Sequence, residues 1–400
     1  MNVTFAVESP DEVVFEPARE FVEEETPRPR FRRRLGAGIG RVFRGIASGM
    51  DWLFGAAALV VGLSLLSAIP VAQFLGLGYL LEASGRVATS GLLRDAFVGV
   101  RKASRLGSMA IGVGLFMLPL RLVSSLANSA QLVDPGGPAA RTWKVILVVV
   151  TVLVVLHVLA ACARGGRVRH FLMPFGNPFW IVRRLRRGGA YASARDTVWD
   201  FVASLRLAYY FRLGLLGFVG TMVWLVVPIS LIAAGRLHPL FGLLGAVLLG
   251  LVVMPLPYLQ ARFACEKRFR ELFALRSVRA RFKAAPWAFA FSLIVTLVGA
   301  VPLYLLKIEI IPREAAWLPS LVFLIFMFPA RVLVGWAYGR SLRRERPRNW
   351  FVRWTGRLTV LPVAAAYVGI VFLSQFTAWR GIWSLYEQHA FLLPVPFLGL

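Results

Sequence analysis

Long uncharged runs of about 20 residues alternate in this chain with arginine-dense stretches, and the dense stretches fall at every second gap. A helix of that length spans the hydrocarbon core of a bilayer, and basic loops stay on the cytoplasmic side. The pattern therefore predicts an all-α fold: a polytopic transmembrane helical bundle, with interfacial amphipathic helices in its basic loops. Composition agrees. Of 400 residues 58% are hydrophobic and only 16% are charged, where an ordinary soluble domain carries about 25% charge.

The formal net charge is +26. A surplus this large also suits nucleic acid, but the arginines lie between apolar runs, where anionic headgroups are the nearer partner. No nucleic-acid partner is expected. Only five of the cations are lysines: Lys102, Lys144, Lys267, Lys283 and Lys307. Cys162 and Cys265 sit at the ends of apolar runs on the side read as cytoplasmic, so a disulfide framework is not expected. The histidines His157, His170, His238 and His389 show no ligand spacing.

Residues 1–27 are acidic and interrupted by Pro10, Pro17 and Pro27, which reads as a disordered cytoplasmic tail. The sign reverses over 28–51, where Arg28 to Arg44 meet no acid until Asp51. Within Gly38–Trp52, Val42, Phe43 and Ile46 fall at helical spacing, as in a short helix on the inner leaflet. The first apolar run begins near Trp52, too far from Met1 for a cleaved leader, and is expected to act as an uncleaved anchor.

Seven full spans are predicted at 107–129, 142–163, 213–235, 237–261, 287–306, 317–339 and 358–379. Loops 164–212, 262–286 and 340–357 are rich in arginine and belong inside. Loops 130–141 and 307–316 balance their charges and belong outside, as does the C-terminus with its apolar tail 391–400. The polytopic domain runs over 83–390.

The region 52–82 resists this scheme. The basic stretch 28–44 and loop 83–106 both read as cytoplasmic, so an even number of crossings must separate them. The region is too short for two full spans, and Pro70 breaks it near its middle. The expectation is a hairpin: a limb over 52–69, a turn at Pro70, and a short return over 71–82. Such backbone must be buried in protein. The rival is one long tilted helix. An internal echo, Pro70-x5-Gly76-x2-Tyr79 and Pro329-x5-Gly335-x2-Tyr338, falls in two segments that both run from outside to inside in this topology.

Arg121 and Arg331 lie inside spans, each about two-thirds of the way along. They either snorkel to headgroups or bind an anionic group, a lipid phosphate or a substrate carboxylate. Glu82 can pair with Arg86 one turn on, and His157 reads as a packed, hydrogen-bonded side chain. Three cytoplasmic stretches carry apolar faces. In 178–187, Trp180, Ile181, Val182 and Leu185 interleave with Arg183, Arg184, Arg186 and Arg187. In 195–209, Val198, Phe201, Val202, Leu205 and Tyr209 share a face. In 269–283, Phe269, Leu272 and Phe273 do.

No phosphate loop, HExxH or GxSxG is present, so no enzyme, cofactor or catalytic residue is expected. The stretch Ile69-Pro70-Val71-Ala72-Gln73-Phe74-Leu75-Gly76-Leu77-Gly78-Tyr79-Leu80-Leu81-Glu82 with Ser84-Gly85-Arg86, and Ala163-Arg164-Gly165-Gly166-Arg167, resemble bacterial multi-pass membrane families of unknown function. The resemblance covers residues 50–340 and implies an integral membrane helical bundle. The expectation is a non-enzymatic, multi-pass protein of the bacterial inner membrane with a cytoplasmic N-terminus. It engages anionic lipid headgroups, or organises partners, through its basic amphipathic loops. The alternative is a transporter of a small anionic or amphipathic solute, with Arg121, Arg331 and the hairpin near the path.

A membrane-impermeant label on a cysteine placed at Ser90 is expected to react only from the cytoplasmic side. Reaction from outside would make 52–82 one spanning helix.

Overall fold

The computed structural model describes residues 30–173, 176–186, 188, 190–306, 317–378 and 381–387. The acidic tail, loop 307–316 and the C-terminal tail 391–400 lie outside the described residues. Among those described, every regular element is helical. The helices are α1 (Arg30–Ser67), α2 (Gln73–Ser90), α3 (Val100–Val133), α4 (Pro138–Ala163), α5 (Val168–Leu172), α6 (Gly176–Arg186), α7 (Ala190–Ser204) and α8 (Leu207–Ala234). They continue with α9 (Pro239–Val253), α10 (Leu256–Glu266), α11 (Leu275–Ala284), α12 (Pro286–Leu305), α13 (Trp317–Leu342), α14 (Trp350–Thr377) and α15 (Ser384–Glu387). The chain up to Met50 is one unit and Asp51–Leu400 another. In the first, the expected short helix at Gly38–Trp52 is a stretch of the 38-residue α1.

Among the described residues eight helical stretches are long and apolar enough to cross a membrane: Ser48–Ser67, Val100–Val133, Pro138–Ala163, Val198–Ala234, Pro239–Glu266, Pro286–Leu305, Trp317–Leu342 and Trp350–Thr377. Seven contain the predicted spans or most of each, and the eighth is the first part of 52–82. The protein is a multi-pass membrane protein with an all-α bundle.

The chain breaks at residues 68–72 and re-forms as α2. Pro70 supplies no donor there. Val71 sits at φ 69°, a left-handed conformation that a β-branched residue adopts only under tertiary constraint. α2 then runs 18 residues, beyond the expected limb, and stops at Gly91, whose φ of 80° suits glycine. From Gly76 to Gly85 every residue of α2 is buried. It packs against α8, α10 and α13. A methyl group on Gly78 would strike the Tyr210 carbonyl, and one on Gly214 would strike the Phe74 carbonyl, so the two backbones touch. Gly335 and Gly339 of α13 meet Ser84 and Ala88 in the same way. The constant spacing of those two contacts shows that α2 and α13 run parallel. Their register sets Tyr79 beside Phe328, with ring centroids 6.2 Å apart, so the two halves of the internal echo lie at different heights.

Both ends of this helix–turn–helix lie at one end of the bundle. The Ser104 hydroxyl donates to Asp51 at 2.9 Å, and the Trp52 ring meets Phe97 at 4.9 Å. At its other extreme Phe74 meets Phe218 at 5.3 Å. Phe218 lies about 16 Å from the start of α8 at 1.5 Å per residue, near the middle of that helix. The turn at Pro70 therefore stands at mid-height.

Two further breaks divide expected elements. The predicted span 237–261 is two helices, α9 and α10, interrupted at Met254–Pro255. The apolar face drawn over 195–209 is split at Arg206, whose φ is 52°. Val198 and Val202 stay exposed on α7, while Tyr209 enters α8. The stretch 269–283 likewise becomes a 3-10 turn at Phe269–Phe273 followed by α11. Leu272 is buried there, and its carbonyl accepts from Trp224 at 2.9 Å.

Gly78→Leu is expected to lower thermal stability in detergent by about 3 kcal/mol or to prevent folding, since overpacked backbone contacts cannot relax. Gly62→Leu, where nothing lies within 4 Å, is expected to be tolerated. Equal stability of the two variants would refute the α2–α8 contact.

Candidate functional site

Four basic loops, 83–106, 164–212, 262–286 and 340–357, converge at one end of the bundle. Lys102 donates from Nζ to the Ser204 carbonyl at 2.7 Å. The Arg348 amide donates to the Lys283 carbonyl at 2.8 Å. The centre of this end is Glu82, whose side chain is 9% exposed. Its Oε1 accepts from Arg86 Nε at 2.8 Å, the pair expected one turn apart. Its Oε2 accepts from the Tyr209 hydroxyl at 2.6 Å and from Lys267 Nζ at 2.5 Å. Lys267 can turn back because it caps α10 with φ 57°, and its ammonium also lies 5.6 Å from the Tyr209 ring centroid. One carboxylate thus joins α2, α8 and the exit of α10. A carboxylate holding several charge-assisted hydrogen bonds is stronger glue than an exposed ion pair.

A second carboxylate repeats the device. Glu271 accepts from Arg262 Nε at 2.6 Å and lies 3.4 Å from Arg270 Nε. The Arg262 hydrogen bond holds the Glu271 carboxyl below the ordinary carboxylate range. Arg262 also donates to the Tyr338 hydroxyl at 3.2 Å, which ties in α13.

Deeper in the bundle lies Arg331. It is 1% exposed and fully enclosed. Its guanidinium donates to Gln260 Oε1 on α10, and Gln260 Nε2 donates to Thr221 Oγ1 on α8 at 2.6 Å. The snorkelling expected for Arg331 is therefore not seen: the side chain turns inward, and amide and hydroxyl dipoles take the place of water. Arg121, by contrast, is exposed on α3. Arg183 and Arg186 are exposed on α6, beside Phe179 and Val182, which are exposed too. The side chain of Arg184, and Arg187, lie outside the described residues.

His157 is hydrogen-bonded on both ring nitrogens, with Nε2 3.0 Å from the Phe171 carbonyl and Nδ1 3.2 Å from Asn177 Nδ2. Asn177 Oδ1 accepts from Arg164 at 2.6 Å. Cys162 and Cys265 are both free. Among the described residues no group of three His, Cys, Asp or Glu side chains is placed to hold a metal ion. Sequence spacing exposed the Glu82–Arg86 pair but could not find Lys267, Tyr209 or Gln260, which approach only through tertiary packing.

In comparisons with known proteins, no family model matches the chain, no curated protein is significantly similar to it, and no solved structure matches it.

Glu82→Gln keeps the shape and removes the charge. It is expected to cost roughly 2 kcal/mol of stability, the scale of hydrogen bonds to a buried charged group. In that background Lys267→Met is expected to add little, and a full additive loss in the double-mutant cycle would show that the two do not interact.

Proposed function

We propose that this is a non-enzymatic protein of the bacterial inner membrane that engages anionic lipid through its basic end, with the N-terminus in the cytoplasm. The observation that supports it is the gathering of four arginine-rich loops at one end of the bundle around two buried carboxylates, Glu82 and Glu271, the only two buried among the described residues. Among the described residues Arg101, Arg105, Arg183, Arg186, Arg279, Lys283 and Arg357 of that end are exposed. Each is attracted to an anionic leaflet by about 1 kcal/mol. α6 adds exposed Phe179 and Val182 to exposed Arg183 and Arg186, the arrangement of a helix lying in the interface.

In this reading residues 52–82 form a re-entrant hairpin that enters and leaves on the cytoplasmic side. The mid-height turn and the common end shared by Asp51 and loop 83–106 support it. The alternative keeps one favouring observation. The break at Met254–Pro255 and the enclosed Arg331–Gln260–Thr221 chain resemble the discontinuous helices and internal polar sites of transporters. That reading predicts that Arg331→Gln stays folded and loses flux of small carboxylates into proteoliposomes.

The deciding measurement for lipid engagement is the relative association of spin-labelled phosphatidylglycerol and phosphatidylcholine with the reconstituted full chain. Arg183→Gln with Arg186→Gln is expected to reduce the preference for phosphatidylglycerol roughly 25-fold, a factor of about five for each cation at about 1 kcal/mol. No preference in the native chain would overturn the proposal.

A further inference from the structure

A cleft of about 610 Å³ opens where α9 and α10 meet α11, α12 and α14. Its walls are apolar, with Leu251, Met254, Phe289, Leu293 and Leu361 among them. Its mouth is not. Arg279 and Lys283 reach it from α11, and Arg357 reaches it from α14, all three exposed. Arg357 is steadied over the Phe282 ring at 5.4 Å. The Lys283 carbonyl is tied to the Arg348 amide, which fixes the rim. No carboxylate lines the cleft among the described residues.

The cleft does not end inside the bundle. A second hollow of about 580 Å³ shares Leu251, Met254 and Leu361 with it and continues between α9 and α14 as far as Phe372. From Trp354 to Phe372 the path along α14 is about 27 Å at 1.5 Å per residue, nearly the thickness of a hydrocarbon core, about 30 Å. Small residues keep it open. A methyl group on Gly369 would meet nothing within 4 Å, and one on Gly250 would meet only Val368, at 3.8 Å. Every lining side chain of this second hollow is apolar, so charge is confined to one mouth.

We propose that this groove is a seat for one anionic glycerophospholipid of the inner leaflet. Its phosphate lies against Arg279, Lys283 and Arg357, and one acyl chain runs between α9 and α14. The charge selects the headgroup, because among the described residues these three exposed cations share a mouth that no carboxylate lines. The apolar trough selects a chain, because its polar surroundings stop at the mouth. The proposal rests on the reading of the basic end as lipid-engaging and assigns it a defined site, distinct from α6.

The test uses the full chain in nanodiscs of equal parts phosphatidylglycerol and phosphatidylcholine, followed by release into detergent and native mass spectrometry. One phosphatidylglycerol per chain is expected to be retained. Arg279→Gln, Lys283→Gln and Arg357→Gln together are expected to reduce retention roughly 100-fold, a factor of about five for each cation. The lysine variants Arg279→Lys and Arg357→Lys are expected to restore most of it, which separates lost charge from lost folding. Gly369→Phe fills the trough without touching the cations and is expected to abolish retention as well. Unchanged retention in both the triple variant and Gly369→Phe would overturn the groove. If the spin-label preference of the surrounding lipid still responds to Arg183 and Arg186, the broader reading survives that result. Equal retention of phosphatidylcholine would also overturn the groove, since the mouth would then select nothing.

Discussion

A chain inside a bilayer has no water to satisfy an open backbone, so every break in a helix must be closed by the protein itself. The turn at residues 68–72 is where this constraint is sharpest. The break is closed locally: Ala68 donates to Ser64, Ile69 to Leu66, Gln73 to Ile69 and Phe74 to Val71, at 3.0–3.2 Å. Yet α2 itself needs more than closed hydrogen bonds. Being 18 residues long with a glutamate and an arginine, it falls short of the hydropathy of the other membrane helices, and it is placed where lipid hardly reaches it. Glycine on α2, α8 and α13 makes that burial possible, because three backbones can approach only where side chains are absent. Much of the remaining bundle is arranged around this helix.

Burying α2 brings its lower end against the basic loops, and the electrostatics follow. Loops carrying so many arginines repel one another. Glu82 and Glu271 offset the repulsion by each holding two cations: Arg86 and the distant Lys267 in one case, Arg262 and Arg270 of its own loop in the other. Two carboxylates cannot neutralise a surface drawn from a chain of net charge +26. In the proposed reading, the residue of that field is what an anionic leaflet would screen.

Hydropathy and charge made the coarse architecture legible. Hydrophobic runs such as 142–163 and 287–306 mark helices because nothing else satisfies a backbone in hydrocarbon, and tertiary context hardly alters them. Pro70 marked a break for the same local reason. What escaped the sequence depends on partners far along the chain. The 18-residue length of α2 exceeds its apolar run because burial against α8 and α13 carries the helix through Ser84 to Ser90. The break at Pro255 sits in a continuous apolar run, and hydropathy cannot distinguish a kink from an interruption. Arg206 divided a good helical period at 195–209 because backbone conformation, not pattern, ends α7. Arg331 is the clearest case. Its position along the span suits snorkelling, and only the approach of Gln260 reveals that it points inward.

That approach links the break at Pro255 to the buried arginine. Met254 and Pro255 keep right-handed helical dihedrals, so the chain winds on through a proline break in the hydrogen-bond ladder, and α10 presents Gln260 to Arg331 and Thr221 while Tyr258 donates to the Phe289 carbonyl on α12 at 2.5 Å. The same interruption leaves Met254 and Pro255 facing the cleft whose mouth holds Arg279, Lys283 and Arg357. One proline break in the hydrogen-bond ladder therefore has two consequences on opposite sides of a single element. Inward, it solvates a charge that hydrocarbon would reject. Outward, it opens an apolar hollow beside a cationic rim. A charge-preserving change at Arg331 would leave the rim intact, and filling the trough would leave Arg331 solvated. The internal polar chain and the peripheral groove are thus separable by substitution although they share a structural origin.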